Sequence, residues 1–578
     1  MKKNNRLVIL SLFAAAVFTF LVGRLVYVMV FDKEEIYDKA LGQIVREVSI
    51  PAARGDILDR NYNLIAASAE AYRLDIDLKT FRRTLEEKDR TAAYYAAPLS
   101  GLLGETQEAI LKVLEKDANG SLVKRKLEKS QADALRVWMK AEGTNFLILG
   151  YDSIRYYPNM DYLAHVLGSV GSDGQGTMGL EYTYDKELTG MDGIRIAEID
   201  GKRQELPYTE VIKTEAVDGS DLVLTIDERV QYLIEGVAEK AMKDNEAKSV
   251  TIIVSDPRSG EIYGLVNLPD FDPNAPAKDR TQEEFDKVTR NLAVNDTYEP
   301  GSTFKIVTMA AALSENAISR NFGYFCTGFT YVNGVKIRCS KPEGHGQQNL
   351  LDIIRNSCNP GIIEIGQRLG QEKLNEYIEK FNFGTKTGID LPGEAKGIIK
   401  STDTMTILDL ATISMGQTDT ATPIQILGAL NIIANGGYEN TLHLMKEAIP
   451  KNGKDEKLEA VPYVDKNTEK VIDADVNAEI MKMLEAVVER GSAKSAFVED
   501  LRIFGKTGTA QKIDPATGTY SKEDFIASFV GAAPADNPKV SIFVSIDSPR
   551  GSIFGGVIAA PLAKEIFLEI QKYIPLVD

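Results

Sequence analysis

The sequence predicts an α+β protein with one N-terminal membrane helix. Three observations lead there. Residues 7–31 are apolar apart from Arg24 and a few small or hydroxylated residues, β-prone runs cluster at 221–267 and again at 501–546, and the stretch between those clusters reads as a helical block. Strands at both ends of a region with helices between them give segregated α and β layers.

The apolar run comes first, and it is long enough to cross a hydrocarbon core of about 30 Å once. Lys2, Lys3 and Arg6 precede it and Asp32-Lys33-Glu34-Glu35 follow. The positive-inside rule therefore predicts a cytoplasmic tail of residues 1–6, an anchor at 7–31, and everything beyond it outside the cytoplasm. A cleaved signal peptide is the rival. No small-x-small site follows the run, and Arg24-Leu25-Val26-Tyr27 reads as continuing helix. Arg24 is read as snorkelling to the interface, ahead of pairing with a partner helix.

Residues 32–217 form a mixed region, with strand-like runs at 43–51 and 71–77 and helical stretches at 106–115 and 131–140. No catalytic constellation is evident in it. Asp218-Gly219 marks a turn and the expected domain boundary, after which 221–227 reads as a strand leading into an amphipathic helix, 229–242. Runs at 249–255 and 261–267 flank Asp256-Pro257-Arg258-Ser259-Gly260, a hairpin signature. Two more strands are expected at 525–532 and 540–546, and an apolar helix at 561–573. Residues 446–475 are charged and poor in apolar periodicity, so an exposed excursion is expected there. No repeat, low-complexity tail or further C-terminal module is expected.

At 578 residues and 44% hydrophobic content there is room for two to four ordinary domains. The formal net charge of −17, with no long basic cluster, argues against a nucleic-acid partner. Histidine is nearly missing. With only His165, His345 and His443, neither a Ser-His-Asp triad nor a zinc site of several histidines is attractive, and no metal or cofactor is expected. His165 reads as a packing residue; His345, between two glycines, reads either as a turn residue or as one that shapes a nearby site.

Three motifs in one order point to acyl transfer: Ser302-Thr303-Phe304-Lys305, Ser357-Cys358-Asn359 and Lys506-Thr507-Gly508-Thr509. A serine hydroxyl needs a base, and a lysine three positions on shares its face of a helix. Lys305 is the candidate base, provided that partial burial and a second ammonium, Lys506, push its pKa down. Each motif has a decoy: Ser121-Leu122-Val123-Lys124, Ser314-Glu315-Asn316 and Lys386-Thr387-Gly388. Context decides between them. Ser302 follows Glu299-Pro300-Gly301 and opens an apolar helical run, where a helix dipole favours a developing anion. Ser314 falls on the surface of that same helix, and Lys386 runs into a turn, whereas Lys506 continues a β-prone run able to meet a bound peptide.

The ordered set resembles the penicillin-recognising serine enzymes. With Tyr298-Glu299-Pro300-Gly301-Ser302, Gly344-His345-Gly346, Met415-Gly416-Gln417 and Thr422-Pro423, it resembles a class B penicillin-binding protein, and Arg54-Gly55-Asp56-Ile57-Leu58-Asp59-Arg60 and Gly176-Thr177-Met178-Gly179-Leu180-Glu181 are similar to that class's non-catalytic pedestal. The resemblance implies a pedestal of the dimerisation type at 32–217 and a transpeptidase domain, an antiparallel sheet flanked by helices, at 218–578. It implies D,D-transpeptidation of peptidoglycan stem peptides ending in D-Ala-D-Ala, inhibition by β-lactams, and a separate membrane glycan polymerase as partner. Ser302 would be the nucleophile, Ser357 the donor to the leaving amine, Asn359 a substrate ligand, and the backbone N–H groups of Ser302 and Thr509 the oxyanion hole. Lys506, Thr507 and Thr509 would hold the terminal carboxylate, with Gly508 letting the strand approach the ligand. Two rivals share the motifs: a D,D-carboxypeptidase or β-lactamase-type hydrolase, and a non-catalytic β-lactam sensor or scaffold.

Cys326, Cys339 and Cys358 fall within one short window around the second motif. Outside the cytoplasm a disulfide is permitted. Three thiols allow three pairings, or none if they are buried packing residues. A bond from Cys358 to Cys339, or to Cys326, is the candidate redox switch, because Cys358 sits between Ser357 and Asn359.

Overall fold

The computed structural model describes residues 2–30, 45–198, 211–277, 280–453, 456–465, 468–514 and 516–577. The N-terminal run forms one helix, Lys2–Val30, whose Leu7–Val30 portion is long and apolar enough to cross a membrane. Within it the Arg24 guanidinium lies over the Tyr27 ring, 5.4 Å from its centre. Phe31, the acidic cluster at 32–35 and the first two residues of the strand expected at 43–51 lie outside the described residues.

Two compact units emerge. The first, residues 1–53, 190–219 and 451–456, contains the N-terminal helix and a three-stranded antiparallel sheet of Val45–Ile50, Gly193–Glu198 and Val211–Thr214, in that order. The second takes in residues 54–189, 220–450 and 457–578.

In the second unit, the strand expected at 71–77 runs from Leu64 to Asp77 and pairs on its two sides with Gly120–Leu127 and Leu147–Tyr156. Helices Leu78–Lys88, Ala92–Leu103, Gln107–Leu114 and Lys129–Glu142 supply its core, including the mutually packed rings of Phe81, Tyr95 and Phe146. The stretch read as an exposed excursion departs from expectation. It begins as a strand, Met445–Ile449, which pairs antiparallel with Asp221–Leu224. That strand in turn pairs with Ile57–Leu58, so one seven-stranded sheet draws on segments from both sides of residue 218. Lys446 and Glu447 hid the strand, since all five of its residues are only half-buried and none carries the apolar alternation of a covered face.

A five-stranded antiparallel sheet organises the rest: β1 (Ser249–Ser255), β2 (Ile262–Leu268), β3 (Phe504–Asp514), β4 (Thr519–Ala533) and β5 (Val540–Asp547), in the order β2-β1-β5-β4-β3. β1, β2 and β5 are buried at consecutive residues, which requires cover on both faces. Glu228–Asp244 and Ala560–Ile570 pack together against the sheet, and Pro423–Ala434 packs against β1, β4 and β5. β3 has one neighbour, so its outer edge is unpaired within the sheet. The helix Lys305–Ser314 is buried from Lys305 to Leu313, on every side, as a helix apolar all round must be.

Candidate active site

Ser302 stands in a short 3₁₀ turn, Gly301–Phe304, that runs directly into the buried helix Lys305–Ser314. The turn is braced from outside. The Gly301 N–H donates to Gly416 O at 2.7 Å, and Gly416 sits at φ +91°, where a Cβ would fall 1.8 Å from Gly301 O. Only glycine fits there. The neighbouring Glu299 carboxylate accepts from the Thr418 N–H at 2.9 Å and the Tyr520 hydroxyl at 2.8 Å, and burial raises its pKa. Tyr520 escaped the sequence reading, because nothing local links it to a residue so distant along the chain.

Lys305 is wholly buried, beyond the partial burial expected. Its Nζ donates to Ser357 O at 2.8 Å, Ser357 Oγ at 3.2 Å and Asn359 Oδ1 at 2.6 Å. Three acceptors saturate the three N–H bonds of an ammonium. Loss of one proton frees a lone pair. Burial pushes Lys305 down to about 8, with Cys358 and Cys339 opposing. The expected cause needs correction: repulsion between the lysines weighs on Lys506, which burial and then Lys305 push well below the ordinary lysine range. Among the described residues Ser302 makes no hydrogen bond to Lys305. Catalytic hydrogen bonds of this kind tighten when substrate arrives.

Ser357 is the junction of the site. Its Oγ accepts from Lys305 and, at 3.0 Å, from Lys506, whose Nζ also donates to Thr507 O at 3.0 Å. Ser357 has φ +53°, a left-handed conformation just beyond the helix Leu350–Arg355. The chain then re-enters a helix, Asn359–Leu369, with Cys358 as its N-cap and Pro360 in its first turn. This turn between helices aims Asn359 inward, and its Nδ2 donates to Arg338 O at 3.0 Å.

The third motif lies on the edge strand β3 as expected. Thr507 Oγ1 shares a 3.2 Å hydrogen bond with Ser492 Oγ, and Thr509 Oγ1 accepts from the Gly555 N–H at 3.3 Å. A Cβ on Gly301 would approach Thr509 O to 3.2 Å, so the Ser302 turn and the strand meet closely. Gly508 has a packing reason that the sequence reading missed. A side chain there would meet Ser528 Oγ at 2.3 Å and Pro300 O at 3.2 Å, which is protein rather than open space.

The decoys fall elsewhere. Ser121 and Lys124 lie on a strand, where a three-residue spacing points them to opposite faces, and Lys124 Nζ donates to Leu103 O at 2.5 Å. Ser314 is the last residue of the helix that carries Lys305. Lys386-Thr387-Gly388 is a loop in which Glu394 accepts from the Thr387 N–H and hydroxyl, both at 2.6 Å.

All three cysteines are buried free thiols. Cys339 Sγ lies 4.0 Å from Cys358 Sγ and 3.5 Å from His345 Nδ1. His165, the expected packing histidine, is buried against Phe271 with its pKa lowered by burial to about 4.

The chain is similar to known proteins along most of its length. The family described as the penicillin binding protein transpeptidase domain matches residues 250–568, and the penicillin-binding protein dimerisation domain matches residues 49–224. The chain is 36% identical to stage V sporulation protein D of Bacillus subtilis, over 97% of this chain and 85% of that protein. It is 28% identical to a probable peptidoglycan D,D-transpeptidase, PenA, of Neisseria gonorrhoeae, over 98% and 92%. The crystal structure of penicillin binding protein 3 from Mycobacterium tuberculosis, complexed with aztreonam, superposes with a TM-score of 0.68 at 26% identity, covering 92% of this chain and 98% of that one. With both domain families matched in order and a relative similar along nearly its whole length, the chain belongs to the class B penicillin-binding proteins and is a peptidoglycan D,D-transpeptidase.

Proposed function

We propose that Ser302 is the nucleophile of this transpeptidase and Lys305 its base. Ser302 Oγ bonds to the carbonyl carbon of the D-Ala-D-Ala linkage of a stem peptide while its proton passes to Lys305. The C–N bond then breaks, and terminal D-Ala departs with a proton delivered through Ser357. An amine of a second stem peptide attacks the resulting ester, forms the cross-link and releases Ser302. Asn359 holds the substrate amide, and Lys506, Thr507 and Thr509 hold its carboxylate. The backbone N–H groups of Ser302 and Thr509 stabilise the oxyanion, and losing one such donor costs about 2.7–4 kcal/mol. One observation carries this reading: a single hydroxyl, Ser357 Oγ, hydrogen-bonds two buried lysines from two other motifs.

The same reading places residues 1–6 in the cytoplasm, residues 7–31 in the membrane, a pedestal at 32–217 and the transpeptidase domain at 218–578, with a membrane glycan polymerase supplying the strands to be cross-linked. It also makes Cys358 and Cys339 a redox pair, since their sulfurs lie 4.0 Å apart and Cys358 separates two site residues.

Intact-protein mass after incubation with benzylpenicillin, followed by peptide mapping, tests the assignment. One adduct on Ser302, lost in Ser302→Ala, is expected. A label on Ser121, or one that survives in Ser302→Ala, overturns it.

A further inference from the structure

Between the helix that carries Lys305 and the Ser357 turn, the chain makes a small β-ribbon whose outer face acyl transfer does not use. Phe329–Val332 pairs antiparallel with Val335–Arg338 through a turn at Asn333-Gly334. Both turn residues take left-handed φ angles, +46° and +81°, the geometry of a two-residue hairpin whose twist matches its strands.

Strand alternation sorts the ribbon into two faces. Val332 is buried and Ile337 packs against the main core, so their side faces inward. Phe329 stands opposite Arg338 and Tyr331 opposite Lys336, which puts these four side chains together on the other side. Tyr331 is 62% exposed, and Lys336 and Arg338 are exposed with it. The two rings meet edge to face with centres 5.6 Å apart, and the Lys336 ammonium lies 3.8 Å from the centre of the Phe329 ring. Such contacts hold a platform in shape before any ligand arrives. Neither Lys336 nor Arg338 forms an ion pair among the described residues. In a chain of net charge −17, two neighbouring cations without counter-ions favour an anion from outside.

The position of this face limits what it meets. The Arg338 carbonyl accepts from Asn359 Nδ2 at 3.0 Å, so one end of the ribbon is bonded to a residue of the acyl-transfer site. The substrate of a peptidoglycan D,D-transpeptidase is a stem peptide with free carboxylates, hung from a glycan of N-acetylated amino sugars. A pyranose offers a patch of C–H bonds that suits the electron-rich face of an aromatic ring, and carboxylates suit guanidinium and ammonium groups. Length agrees. The four residues between the scissile carbonyl and the sugar span roughly 13–14 Å when extended, and Tyr331 stands about 7 Å along the ribbon from the Phe329–Arg338 pair.

We propose that Phe329, Tyr331, Lys336 and Arg338 form a docking face for the glycan-bearing end of the donor stem peptide. Tyr331 stacks on a sugar ring, and Lys336 and Arg338 hold stem-peptide carboxylates. This placement rests on the reading that Asn359 holds the substrate amide, which brings the peptide beside the ribbon. The face acts in binding alone: it keeps uncross-linked strand near Ser302 and leaves the chemistry to the buried lysines.

The test measures binding to the full chain in detergent, with Ser302→Ala present throughout so that no turnover occurs. One probe is a soluble uncross-linked glycan fragment in which every disaccharide bears a pentapeptide; the other is the same pentapeptide without sugar. Tyr331→Ala should weaken the fragment about fivefold, leave the free pentapeptide within about twofold, and be rescued by Tyr331→Phe. Lys336→Ala with Arg338→Ala should weaken both probes severalfold and remove most of the parent's salt dependence. Unchanged denaturation midpoints show that the variants fold, as exposed positions should allow. Fragment affinity within about twofold of the parent in both variants, or equal loss of both probes in Tyr331→Ala, overturns the proposal. So does a normal fragment affinity beside loss of binding to phosphatidylglycerol vesicles, which would make the face a membrane contact. Asn359→Ala separates the two readings. If it leaves both probes bound while the ribbon variants lose the fragment, the docking face stands and the role of Asn359 falls; if it alone weakens them, the docking face falls.

Discussion

Two places in the second unit bury a pair of cations, and they do so in opposite ways. In one, Arg54 and Arg155 converge on Glu181, which is fully buried; each Nε lies 2.6 Å from one carboxylate oxygen. Asp185 takes a further Arg54 nitrogen at 2.6 Å. In the site, Lys305 and Lys506 meet only neutral oxygens, and among the described residues no carboxylate lies within ion-pair distance of either. Guanidinium stays charged at any working pH and demands a counter-ion, whereas an uncompensated amine escapes the burial penalty by giving up its proton. The first arrangement holds structure together. The second leaves an amine able to shed its proton, as the proposed base must.

The largest effect expected from this contrast is on chemistry. Lys506→Ala should slow benzylpenicillin acylation by at least about 10²-fold, the usual scale for a positioned proton-handling group. Lys386→Ala, in the decoy loop, should leave the rate within about twofold, as surface changes away from a site do. Equal losses in two folded variants would remove the distinction between strand and loop.

Next comes stability. Glu181→Gln leaves two buried guanidiniums short of a counter-charge and should destabilise the protein by about 3–5 kcal/mol, read as a shift of the denaturation midpoint. The acylation rate per folded molecule should change far less. A variant as stable as the parent would show that the arginines are compensated by other means.

A pH profile sharpens the comparison further. Only neutral Lys305 accepts a proton, so acylation should rise as pH passes through about 8 and then level off. Linkage supplies a second sign. Between about 8 and 10.5 the unfolded chain binds a proton at Lys305 that the folded chain has lost, so this residue adds stability as pH rises across that window.

The smallest expected effect concerns the thiols. Hydrogen peroxide should take two electrons and two protons from Cys339 and Cys358, leaving as water. The new bond should pull Ser357 and Asn359 off their working geometry and lower the acylation rate several-fold. Cys358→Ser should not respond. An unchanged rate in the oxidised parent, or equal inhibition of Cys358→Ser, would end the redox reading.

Much of this was legible because the motifs are local. The Ser302 turn, the buried helix behind it and the Lys506 strand all follow from apolar runs and their flanking residues, and the same reasoning set aside the three decoys. Contacts across long stretches of chain left no such trace. Nothing near Ser357 announces that two lysines from distant segments share its hydroxyl, and nothing near Gly508 announces Ser528 beneath it. Residues 446–475 were misread at their start because a half-buried strand can carry Lys446 and Glu447 where a buried one carries valines. The three cysteines and His345 were visible as residues but not as a set, since it is the pairing of Cys326 with Gly346 that brings Cys326 beside His345.

Counting electron pairs on Ser357 leads somewhere else. A hydroxyl oxygen has two lone pairs and one proton, and here both lone pairs face N–H groups from Lys305 and Lys506. While both amines donate, the hydroxyl can only give its own hydrogen away from them. It accepts from Lys305 when that residue is charged and offers outward at the same moment. The group therefore behaves as a rectifier for protons. In the reaction proposed above, a proton relayed from a newly protonated Lys305 would then have one direction of travel, away from both amines.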